Sequence, residues 1–150
     1  MGAEGWRSLA AFEVPSRPGS DRSAAERVVE CLQGTPLTGE RLQRLKTGVA
    51  EAVLNAVEHG HQNRPELPVR ILVEVNDSAA RVSISDQGGG FAPPAGEAPD
   101  LAAKLAGKQT SRGWGLLLMG EMADEVRTRL EAGRYTVELV MRFREVVDGI

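Results

Sequence analysis

Between Thr38 and Gly60 the apolar residues recur at the period of an α-helix, and this stretch sets what the rest of the chain must pack against. With Val49 as origin and about 100° per residue, Leu42, Leu45, Val53, Ala56 and Gly60 all fall within about 40° of it. Such a stripe predicts a long helix, capped at Thr38, with one face in a core. Glu51 and Asn55 are four residues apart and stack on one helix face. They share a shoulder of the stripe with Gly48 and His59, and Gly48 leaves space there. Leu54 and Val57 take the other shoulder, so the helix is expected to be covered on two sides. A stacked carboxylate and amide can hold a hydrated cation and position a water or hydroxyl. The same pair, taken alone, also fits an ordinary polar flank. His59 and His61 have no cysteine partner and make a weak zinc pattern. His59 against the helix-end carbonyls, with Gly60 as terminator, is the plainer reading.

The flanking segments predict a sheet for that helix to lie on. Ser8–Val14 is mostly apolar and stops at Pro15, which suits a first strand at a sheet edge. Ser20 or Asp21 can cap a helix running to about Gln33, with Ala24, Ala25, Val28 and Leu32 on one side. His61–Leu67 reads as a polar loop. Val69–Asn76 alternates, with Ile71, Val73 and Val75 on one face. After a turn at Asp77-Ser78, Ala80–Asp86 alternates again with Val82 and Ile84 inward, so the two form a hairpin with one buried face. Asp86 shares the parity of Val82 and Ile84 and therefore points to the covered side. An unpaired carboxylate is costly there. It is followed at once by Gly88-Gly89-Gly90, which permits close backbone approach to a ligand or a flexible turn.

Residues 92–112 read as a long loop with a short helix at Asp100–Ala106, of the kind that serves as a lid. Lys104, Lys108 and Arg112 bring positive charge to it. Gly113 and Gly115 then precede an apolar helix from Leu116, an arrangement that can present amides to an anion or allow close packing. Glu125–Leu130 and Tyr135–Phe143 complete the strands. The order predicts an α+β, two-layer α/β sandwich: a mostly antiparallel mixed sheet with helices on one face.

The totals exclude several classes. With 150 residues, a single domain spanning residues 1–150 is expected. A net charge of −3 gives no reason to expect direct nucleic-acid binding. No apolar run approaches the roughly 20 residues of a membrane helix, and Met1–Ser20 lacks a signal-peptide core. The one cysteine, Cys31, fits a small packed residue in a reducing cytoplasm.

Three motifs in one order carry a resemblance. Glu51-Ala52-Val53-Leu54-Asn55-Ala56-Val57-Glu58-His59-Gly60, then Asp86-Gln87-Gly88-Gly89-Gly90-Phe91, then Arg112-Gly113-Trp114-Gly115-Leu116 resemble the GHKL ATPases with their Bergerat fold. They are most similar to the small single-domain branch, the anti-sigma-factor serine/threonine kinases of bacterial partner switching. The likeness runs from about Phe12 to Phe143. It implies ATP and Mg²⁺ as cofactors, with Asn55 as the magnesium ligand and Glu51 as the catalytic residue that accepts or orients the acceptor proton. Asp86 would take the adenine amine, with Gly88 and Gly90 against the base. Gly113, Gly115, Arg112 and Lys108 would meet the phosphates. The implied partners are a sigma factor and an anti-anti-sigma protein with a STAS domain, with a homodimer as the assembly. An ATP-gated binding module without catalysis is the alternative. One position departs from the family: where a Thr usually stands two residues before a Val of the last strand, this chain has Tyr135, with Thr136 on the opposite face. Asp86 would then hold the base without that contact, or Tyr135 would hold it differently.

Overall fold

The computed structural model describes residues 5–88 and 111–144, with the backbone alone for residues 111–114. Gly90, Lys108 and the segment expected to form the short helix and most of the lid lie outside the described residues. Five strands, β1 (Arg7–Val14), β2 (Val69–Val75), β3 (Ala79–Asp86), β4 (Glu125–Glu131) and β5 (Arg134–Arg142), form one sheet in the order β1-β2-β3-β5-β4. All four pairings are antiparallel, so the expected antiparallel character extends to every described strand pair. β1 is an edge strand, as its short apolar run before Pro15 suggested.

Three helices cover one face: α1 (Ser20–Cys31), α2 (Gly39–Asn55) and α3 (Ser111–Met122). α2 lies in the middle, packed on α1 and α3 and against β3 and β5. Its stripe is buried as the periodicity demands: Leu45, Val49 and Val53 are fully enclosed. Both shoulders are covered too, since Gly48, Asn55 and Val57 are buried. A Cβ built on Gly48 would stand 3.4 Å from Leu139 Cδ1 and 3.5 Å from Met122 Cβ, so the glycine sits where the sheet and α3 close on α2. Below the helices, Ile71, Val73, Val82, Ile84, Val137, Leu139 and Met141 supply the sheet's half of the core. Burying that many apolar side chains, at about 1.5–3 kcal/mol each, is the main stabilising term.

The opposite face of the sheet is polar and laced across its strands. Glu13 pairs with Arg70 at 3.0 Å, Glu74 with Arg81 at 2.8 Å and Arg129 with Glu138 at 2.5 Å. At the corner where α2 begins, Arg41 donates to the Asp124 carboxylate and, at 3.0 Å, to the Arg142 carbonyl. Asp124 in turn accepts from the Arg142 amide at 2.8 Å. The tie joins the first turn of α2 to the β4–β5 pair.

The helix ends differ from expectation in three places. α1 starts on Gly19, whose φ of 95° suits glycine, and neither Ser20 nor Asp21 caps it. Thr38 does hold the N-cap position of α2, but its hydroxyl makes no capping bond. Finally, the helix that begins at Gly39 does not run on as a plain α-helix to Gly60. It widens after Asn55 into a π-turn, Ala56–Gly60, sealed by the His61 amide donating to the Ala56 carbonyl at 2.8 Å.

Candidate functional site

Two motifs that are far apart in sequence meet at the end of α2. Asn55, the last residue of the α-helix, is buried at 5% exposure, because α3 crosses directly over it. The approach is close enough that a Cβ on Gly115 would stand 2.3 Å from Asn55 Nδ2 and 2.9 Å from Oδ1. Only glycine fits. Gly113 and Gly115 thus lie inside α3, which is already wound at Ser111, and do not precede it. The physical reason is packing: the helix needs its glycine where it passes the amide. Gly113 is in its first turn, where backbone N–H groups have no intrahelical partner.

Asn55 Nδ2 is buried without a hydrogen-bond partner among the described residues. A buried amide end left unsatisfied costs about 1–3 kcal/mol, so it marks a place where something else belongs. Rotating the amide by half a turn puts its oxygen there with the same outline. A neutral oxygen in that position suits a hard cation such as Mg²⁺. Glu51, one turn earlier on the same face, is half-buried and already engaged by its surroundings.

The other end of the site lies where Gly60, five residues on from Asn55, meets the end of β3. Asp86 closes β3 at 2% exposure, on the covered face where its parity put it. Its Oδ1 accepts from the Gly88 amide at 2.8 Å. The carboxylate rests on the π-turn: a Cβ on Gly60 would stand 2.5 Å from Asp86 Cγ. Gly88 presses on the same segment, where a Cβ would come within 2.0 Å of the Gly60 carbonyl oxygen. Gly60 and Gly88 are therefore both places of close approach. The wider π-turn is what carries Gly60 sideways to meet the end of β3.

β5 pairs with β3 so that Tyr135 stands opposite Asp86 and Thr136 opposite Ser85. The Thr136 and Ser85 hydroxyls are 2.8 Å apart, on the face away from the helices. Thr136 is therefore unavailable beside Asp86, and Tyr135, 4% exposed, occupies that side.

The structure brings together Asn55 with Gly115, and Asp86 with Gly88. The side chain of Arg112 is not described, and Gly90 and Lys108 fall outside the described residues. Sequence reasoning missed Gly60 as a contact, along with His61 and Ser16. His61 is not a loop residue in solvent but fully buried. Both its ring nitrogens are occupied by protein groups, Ser16 Oγ at 2.8 Å and the Gln87 amide at 2.7 Å, which accounts for the ring without zinc. The one signal for it was a histidine directly after a helix-ending glycine.

Known proteins share this organisation. Residues 14–141 match the histidine kinase-like ATPase domain. The anti-sigma F factor of Geobacillus stearothermophilus is 32% identical over 99 residues, covering 66% of this chain and 67% of that protein. The anti-sigma F factor of Pasteuria penetrans is 34% identical over 107 residues, covering 67% of each chain. Among solved structures, that of the RsbU and RsbW domains of Rv1364c from Mycobacterium tuberculosis superposes with a TM-score of 0.62 at 19% identity. That match covers 89% of this chain and 32% of the other, and it shows a shared fold.

Proposed function

Because the chain belongs to the histidine kinase-like ATPase domain family, with anti-sigma F factors among its relatives, we propose that it is an ATP-binding anti-sigma regulator with serine/threonine kinase activity. It sequesters a sigma factor, and it phosphorylates a serine or threonine on an anti-anti-sigma protein of the STAS type. The observation that carries this reading is the joint at the end of α2. One short segment seats the buried Asp86 on Gly60, and five residues earlier it turns an unsatisfied Asn55 amide toward α3.

The roles follow from chemistry. Asp86, a buried acceptor, takes the exocyclic amine of adenine, and Gly88 and Gly90 let the flat base lie against backbone. Asn55 would hold Mg²⁺, which would neutralise charge on the phosphate oxygens. Gly113 offers a first-turn amide to the phosphates. Arg112 and Lys108 add positive charge for the phosphates, and Gly115 keeps α3 clear of Asn55. Glu51 orients the acceptor hydroxyl and receives its proton as the oxygen attacks the γ-phosphorus and ADP leaves. Tyr135 flanks the base in place of the threonine that the family resemblance implies there. The reading includes a cytoplasmic location and a homodimer paired at the β1 edge, where Leu9 and Ala10 are only half-covered. Among the described residues no helix is long and apolar enough to cross a membrane.

A thermal-shift titration tests the nucleotide half directly, since a ligand that binds only the folded state raises apparent stability. Mg-ATP raises the melting temperature of the wild type, and less so that of Asn55→Ala or Asp86→Asn. No shift in the wild type would sink the proposal. A shift without phosphotransfer would leave an ATP-gated binding module.

A further inference from the structure

His61 has no part in the function proposed above, yet it is one of the most thoroughly enclosed polar residues of the chain, at 0% exposure. Its ring is fixed at both nitrogens, and the partners settle its protonation. Nε2 lies 2.7 Å from the Gln87 amide nitrogen, which can only donate, so Nε2 is the acceptor. The neutral ring then carries its hydrogen on Nδ1, 2.8 Å from Ser16 Oγ. Ser16 passes its own hydrogen to the Leu67 carbonyl at 2.5 Å. Gln87, His61, Ser16 and Leu67 thus form one chain in which every donor meets an acceptor. A buried network satisfied in this way is rigid, and a missing member leaves an unpaired group behind.

The chain ends on the residue after Asp86. The Gln87 peptide follows directly on the last residue of β3, at a bend. Pinning its N–H on one side, while the Gly88 N–H holds Asp86 Oδ1 on the other, removes the freedom of the carboxylate to swing. Gly60 closes the floor beneath it. The π-turn supplies both Gly60 and the ring that follows it.

We propose that His61 is a positioning residue for base recognition: through the Gln87 amide it fixes the direction in which Asp86 is presented to the exocyclic amine of the base. This rests on the reading of Asp86 as the base-recognising group. His61 touches no ligand in this account. It sets nucleobase selectivity by holding the group that does.

The test compares Mg-ATP with Mg-ITP, whose base carries a carbonyl where adenine has its amine, in binding titrations of the full chain. His61→Asn keeps a donor toward Ser16 but does not reach Gln87. His61→Gln reaches Gln87 with an oxygen in place of Nε2. His61→Asn is expected to weaken ATP binding about five- to tenfold, the worth of one well-placed hydrogen bond. Its ITP affinity stays unchanged or rises, so selectivity collapses, and His61→Gln restores most of it. Ser16→Ala, which loosens the ring without removing it, falls between these and serves as the measurement should His61→Asn fail to fold. Full ATP preference in His61→Asn or Ser16→Ala would overturn the proposal. So would an equal loss for both nucleotides, the pattern of a purely structural residue. A wild type without ATP preference, or Asp86→Asn with preference intact, would instead overturn the reading of Asp86 on which this one rests.

Discussion

Asp86 and Gly60 are in contact so close that no side chain fits between them: a Cβ on Gly60 would stand 2.5 Å from Asp86 Cγ and within 2.7 Å of both carboxylate oxygens. Asp86 is buried and too short to swing clear. Gly60→Ala therefore forces the end of β3 away from the π-turn. Overpacking of this kind costs about 1–3 kcal/mol of stability, which urea denaturation measures. ATP affinity is expected to fall with it by about tenfold or more, since the displaced carboxylate is the group proposed to accept from the base and each tenfold corresponds to about 1.4 kcal/mol.

Gly115 stands to Asn55 as Gly60 does to Asp86, but at the other end of the site. A Cβ there would approach the amide nitrogen to 2.3 Å. Gly115→Ala is expected to rotate the amide out of place or lift α3. The predicted signature is loss of the magnesium dependence of ATP binding, with preference for ATP over ITP retained. Titrations with Mg²⁺ and with EDTA, run on the variant and the wild type, separate these two effects.

Much of this site was legible before the fold. The α2 stripe, the hairpin and the parity of Asp86 follow from periods of 3.6 and 2, which are local properties. The buried Asn55 was less so, because its burial depends on α3, which joins α2 from some sixty positions away by sequence. The π-turn was not legible at all. Its extra residue per turn is held by the meeting of Gly60 with Asp86 and of His61 with Gln87, contacts that span some twenty-six positions. The same blindness hid that His61, the first residue of the polar loop, is buried, and it set Gly113 and Gly115 before their helix. The side-chain caps failed for a different reason, while α1 and α2 begin close to the expected residues: Gly19 starts α1 by adopting a left-handed φ, so the hydroxyl of Ser20 had no capping to do.

Arg41 offers a control remote from the nucleotide. It ties α2 to Asp124 and to the Arg142 carbonyl, with side chains of Arg41 and Asp124 only 17% and 18% exposed. Removing it in Arg41→Ala leaves the Asp124 carboxylate with the Arg142 amide. A cost of about 1.5–3 kcal/mol is expected, the range for hydrogen bonds to charged groups. Nucleotide affinity should stay within about a factor of two, as expected for sites that share no partners. Denaturation and ATP titration on the same preparation check both halves.

In the proposed reaction Glu51 and Asn55 divide the work, one handling the acceptor's proton and the other the cation. Of the two, only Asn55 would be needed for nucleotide binding. The decisive measurement is therefore transfer of labelled γ-phosphate from Mg-ATP to a STAS-domain partner protein, read as phosphoserine or phosphothreonine, for the wild type and for Glu51→Ala. Labelling by the wild type is expected, with a rate lower by about 10²–10⁴ for Glu51→Ala, the usual worth of a positioned acid–base group. ATP affinity should be unchanged in that variant. Equal labelling by both proteins, or none by a wild type that binds Mg-ATP, would overturn this division of roles.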